Sequence, residues 1–106
     1  MPKYLVEATY TREGVAGVVA KGGTSRRDAV AEMAAGMGGE IESFYFAFGE
    51  RDAVVIFDAP DNEAAAAVAM AVNASGGAVL KTTVLMTPEQ VDEAAKRTVA
   101  YRPPGS

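Results

Sequence analysis

The chain contains no cysteine and no histidine. The first absence excludes disulfides, thiolate metal sites and a cysteine nucleophile, and it fits a reducing cytoplasm. The second removes the commonest general base and transition-metal ligand. A zinc or haem site would have to be built from carboxylates or tyrosine, so neither metal nor cofactor is expected. Positive charge is also scarce: Lys and Arg total 10 against 14 Asp and Glu, a net charge of −4. Such a chain has no overall pull toward nucleic acid or anionic lipid. There is no run of about 18 apolar residues to span a membrane. The N-terminal Met1-Pro2-Lys3-Tyr4-Leu5 lacks the apolar core of a signal peptide. A soluble, cytoplasmic protein with neither nucleic acid nor membrane as partner is the expectation.

What is present is an ordinary globular balance. Hydrophobic residues make up 49% and charged residues 23%, which argues against a disordered chain. A length of 106 residues is that of one domain, able to bury roughly two-thirds of its unfolded surface. Residues 1–100 are read as that domain. Residues 101–106, with Pro103-Pro104-Gly105, are read as a flexible tail.

Tyr4, Val6, Ala8 and Tyr10 alternate with Lys3, Leu5, Glu7 and Thr9, the period of a half-buried strand. Thr11 then caps a short helix over Arg12–Lys21, broken by Gly22-Gly23. Ser25 and Asp28 imitate a capping box for a second helix, striped by Val30, Met33, Ala34 and Met37 and ended by Gly38-Gly39. In the following strand, Glu42, Phe44, Phe46 and Phe48 share the core-facing side, opposite Ile41, Ser43, Tyr45 and Ala47. After a turn over Gly49–Asp52 comes the β-branched run Ala53–Asp58. Asp61 caps a helix over about Asn62–Ala74, and Val79–Met86 reads as a fourth strand. Thr87-Pro88-Glu89-Gln90 is the clearest local signal, a capping box with proline at the first helical position, opening a helix over Pro88–Val99.

The order is β-α-β-β-α-β with a broken first helix and an extra C-terminal helix. That is the ferredoxin-like α+β pattern: a four-stranded antiparallel sheet with its helices on one face. The other face carries Leu5, Glu7, Thr9, Ile41, Ser43, Tyr45, Ala47, Val79, Lys81, Thr83 and Leu85. It is too apolar for a solvated surface and too charged for a core. The mixture suits packing against a second chain, with a lined cavity as a by-product.

The segments YLVEATYTREGVAG, GGTSRRDAVAEMAAGMGGEIESFYFAFG, DAPDNEAAAAVAMAVNASGG and TTVLMTPEQVD resemble, in the same order, the GYD-domain family of small bacterial proteins. The resemblance covers about Pro2 to Ala95. It implies a ferredoxin-like subunit of the dimeric α/β-barrel superfamily, in which two sheets face each other across a dimer. That superfamily spans monooxygenases, haem-dependent enzymes, chlorite-processing enzymes and ligand-sensing domains, so fold analogy does not choose a function. The family's Gly-Tyr-Asp signature falls at the hairpin between the second and third strands. Gly49 and Asp52 of FGERD match its glycine and aspartate, and Arg51 stands where tyrosine is usual.

Four clusters carry chemistry. The Gly49–Asp52 tip is either an exposed site or a turn in which Gly49 supplies a positive φ and Asp52 bonds backbone donors. Gly22–Arg27 is a weak anion-site pattern or simply a helix break with solvated arginines. Asp58 and Asp61 read as a strand end and an N-cap rather than a metal pair. Glu7, Tyr45 and Lys81 form the best catalytic possibility, with Leu5, Thr9, Ser43 and Thr83 as ligand-lining neighbours. Glu7 would act as base, Lys81 would tune it and Tyr45 would donate to an oxyanion. The alternative for this trio is a Glu–Lys cross-strand pair inside an interface. Two main functional readings follow. One is a homodimer, or higher homo-oligomer, acting as a binding or accessory domain for a small apolar ligand. The other is a cofactor-independent enzyme of monooxygenase-like or isomerase-like type. A purely structural oligomerisation module is a third.

Overall fold

The structure, a computed structural model, describes residues 1–105. Its elements are β1 (Lys3–Tyr10), α1 (Arg12–Lys21), α2 (Gly23–Gly36), β2 (Glu40–Phe46), β3 (Ala53–Asp58), α3 (Asn62–Ser75), β4 (Ala78–Leu85) and α4 (Pro88–Ala95). The four strands form one antiparallel sheet in the order β2-β3-β1-β4. β1 and β3 are therefore central, and the fold is the expected ferredoxin-like one.

Alternation along the central strands sends one set of side chains under the helices. Tyr4, Val6, Val55 and Phe57 join Ala59 and Ala65 in the core, with Ile41, Phe44, Ala64 and Leu80 packed around them. Tyr4 is only 1% exposed. Its ring lies 5.4 Å from that of Phe57, and its hydroxyl donates to Asn62 Oδ1 at 2.6 Å. Burying a large apolar side chain is worth roughly 1.5–3 kcal/mol, so these few residues supply much of what holds sheet to helices.

Local chemistry sets the helix ends. Thr11 Oγ1 accepts from the Gly14 amide at 3.2 Å and donates to the Gly76 carbonyl at 2.7 Å. One side chain thereby caps α1 and ties it to the turn before β4. Gly14 sits at this junction because a Cβ there would run into the Gly77 carbonyl oxygen. Gly22, with φ of 88°, makes the break between α1 and α2, a conformation that side chains with a Cβ disfavour. Asp61 caps α3, accepting from the Ala64 amide at 2.8 Å.

Four sequence expectations need correction. α2 begins at Gly23 with no side-chain cap, and the Asp28 carboxylate pairs with Arg27 at 3.1 Å instead of closing a capping box. The β2–β3 ladder shifts register between Ile41 and Ser43. This bulge turns Ile41 inward onto the core and leaves Glu42 beside Lys3, at 3.3 Å. Ile41 therefore leaves the open face and Glu42 joins it. β2 ends at Phe46, so alternation stops there and Phe48 is fully exposed in the hairpin loop. The last helix keeps its capping box but ends at Ala95. None of its residues is buried, and the molecule extends over 57 × 31 × 23 Å.

Candidate functional site

The open face is ordered in rows, because antiparallel partners on neighbouring strands share a side. Tyr45 pairs with Val54, Val54 with Glu7, and Glu7 with Lys81. The three proposed catalytic residues therefore lie on one line across all four strands. The next row is Ser43, Ile56, Leu5 and Thr83, joined by the same registers. Thr9 faces Val79 beyond the first row, and Lys3 lies between Asp58 and Leu85 beyond the second. Ser43, Leu5 and Thr83 thus share one row with Ile56, Ser43 and Thr83 at its two ends, whereas Thr9 stands on the far side of the Glu7 row.

Sharing a row is not convergence. Strands are spaced about 4.7–4.9 Å apart, so Tyr45 and Glu7, with β3 between them, are roughly 10 Å apart along the row. Tyr45 is 70% exposed and points into open space. Lys81 is exposed directly opposite Glu7. Among the described residues, however, the cation that pairs with Glu7 is Arg51, whose Nε lies 3.6 Å from Glu7 Oε2. That Nε is buried and has no hydrogen-bond partner. The sequence had kept the hairpin tip and the open face apart, and the fold joins them through this pair. A Glu–Arg contact between residues 44 positions apart leaves no trace in local spacing.

The rest of the tip is structural. Asp52 Oδ2 accepts from the Tyr10 amide at 2.8 Å. Its backbone N–H donates to Ala8 O, and its carbonyl accepts from the Ala47 amide, each at 2.9 Å. Asp52 thus ties the end of β1 to the hairpin, as expected of an aspartate bonding nearby donors. The role expected of Gly49 differs. Its φ is not positive, and a Cβ would meet nothing within 4 Å. At the opposite end of the sheet, Lys3 Nζ lies 2.9 Å from Asp58 Oδ1 and 3.3 Å from Glu42 Oε2. The hydrogen bond that Lys3 donates to Asp58 raises its pKa above the ordinary value, burial opposes that rise, and Glu42 adds to it.

The face therefore has charged ends, Lys3 with Asp58 and Glu42 at one and Glu7 with Arg51 at the other. Between them lies an apolar band centred on Leu5, Val54 and Ile56. Among the described residues no three His, Cys, Asp or Glu side chains come together to hold a metal ion. No helix among them is long and apolar enough to cross a membrane.

These features define an α+β domain of ferredoxin-like topology with a half-apolar sheet face bare in the single chain. A family model described as the GYD domain matches residues 4–95, and the chain belongs to that family. No curated protein and no solved structure matches it. Arg51 lies in the matched region, so the residue that pairs with Glu7 belongs to the domain itself.

Proposed function

We propose that the chain is a homodimeric binding or accessory domain, its two open sheet faces packed together around a small, mostly apolar ligand. The apolar band of Leu5, Val54 and Ile56, flanked by exposed Tyr45 and Val79, carries this reading. Contiguous apolar surface rimmed by charge is what protein interfaces present. The charged ends then act as the polar rim and fix how the two sheets register. Lys81, exposed and opposite Glu7, is free to meet a carboxylate of the facing copy.

Within one chain the enzyme reading has less to support it. Glu7 is engaged by Arg51, and Tyr45 stands two strands away. The test is molar mass in solution by light scattering. A dimer is expected for the parent chain and a monomer for Ile56→Glu, which places a carboxylate in the middle of the band. A parent chain that is monomeric at micromolar concentration would overturn the proposal.

A further inference from the structure

The helix-covered face of the sheet contains a cleft that goes beyond the dimer reading. α2 leans on β2 and α3 on β4, and a small space remains between the two helices above the middle of the sheet. The space is an apolar chamber of about 50 Å³, floored by Val6, Val55 and Phe57 and walled by Met33 and Val68. Past Tyr10, Arg26, Val72 and Ala78 it continues into a groove of about 350 Å³ between α1, α2 and the end of α3. The groove carries Glu13, Lys21, Ser25 and Ser75 on walls that are otherwise largely apolar.

Arg26 stands where the two spaces meet and lines both. It is half-buried and, among the described residues, has no carboxylate within 4.0 Å. Its neighbour Arg27 is by contrast paired with Asp28. An unpaired guanidinium at the mouth of an apolar chamber is unusual, because a partly desolvated cation ordinarily recruits a counter-charge. Lys21 adds a second cation in the groove against the single carboxylate of Glu13. The groove alone is within the size range of small-molecule sites, about 300–1,000 Å³.

We propose that this cleft binds a small amphipathic carboxylate. Its alkyl body, short enough at two or three carbons for a chamber of about 50 Å³, enters against Phe57 and Val68, and its carboxylate lies across the Arg26 guanidinium. Arg is suited to this because its planar fork donates two parallel hydrogen bonds to a carboxylate. The chamber supplies burial without polar demands, so selectivity for the anion rests on Arg26.

The experiment titrates butyrate and, in parallel, 1-butanol into the intact chain, following methyl resonances by NMR. Butyrate should shift Val30, Val68 and Leu80 saturably and leave Leu5 and Ile56 unmoved. Arg26→Gln should weaken it about tenfold or more, the loss expected for a hydrogen bond to a charged group, whereas Arg26→Lys should retain part of the affinity. The parent chain should bind butanol no better than Arg26→Gln binds butyrate. Absence of saturable binding, equal affinity in parent and Arg26→Gln, or shifts confined to Leu5 and Ile56 would each overturn the proposal. The last result would place the ligand on the open face and favour the dimer-cavity reading, whose own failure is read separately from the molar mass.

Discussion

Phe57 and Ile56 are neighbours on β3, yet they belong to different environments. Phe57 lies under the helices, 6% exposed and against Tyr4. Ile56 lies on the open face between Ser43 and Leu5. One strand thus presents a buried core on one side and an apolar surface bare in the single chain on the other. The difference teaches how a sheet with helices on one face divides its work: the covered side holds the fold together, and the bare side is available for association.

Substitutions at these two positions should separate the roles. Phe57→Ala should cost about 3–5 kcal/mol in urea unfolding, the usual range for truncating a buried aromatic residue. Ile56→Ala should cost well under half of that under conditions where the chain is monomeric. Equal costs would erase the distinction between the faces. Gly14→Ala should come next, at about 1–3 kcal/mol, because the helix side depends on close backbone approach at the Gly77 carbonyl. A lowered thermal midpoint checks it.

The covered face should also respond to alkali. Burial raises the Tyr4 phenol above its ordinary value of 10.0, and the charges of Asp61 and Glu63 add to the rise. A raised folded value means the native state holds its proton more tightly than the unfolded chain. The corresponding stability is present below pH 10 and lost as pH climbs through the raised value. Tyr4→Phe should remove the phenol's part of that alkaline loss and leave the part due to Lys3, whose pKa is also raised. Unfolding midpoints of parent and variant measured across alkaline pH show the difference. The smallest effect is expected at Thr87→Ala. It removes a cap ordinarily worth about 1 kcal/mol, yet α4 buries no residue. The global midpoint should stay constant while amide exchange in the first turn of α4 accelerates.

Much of the fold was legible because its punctuation is local. Gly22 separates two helices, Asp61 and Thr87 cap two more, and the alternation of Tyr4, Val6 and Ala8 marks the central strand. Two features of β2 were not legible. A bulge between Ile41 and Ser43 cannot be seen in a pattern that simply alternates, and it exchanges the sides of Ile41 and Glu42. Phe48 continued the apparent alternation past the end of the strand. For the candidate site, the sequence placed Glu7, Tyr45 and Lys81 on one face, and the ladder registers put them in one row. It did not reveal that Glu7 pairs with Arg51, since that contact depends on how the hairpin tip folds back over β1. The cleft beside Arg26 was hidden for the same kind of reason: the spacing between α2 and α3 is set by how each helix seats on the sheet, not by either helix's own periodicity.

The central claim, that the open sheet face is an interface between two copies, is tested most directly by light scattering on the parent chain and Ile56→Glu. The account predicts twice the chain mass of 11.0 kDa for the parent and the single-chain mass for a still-folded variant. A folded parent chain at the single mass, or a variant that remains dimeric, would contradict it.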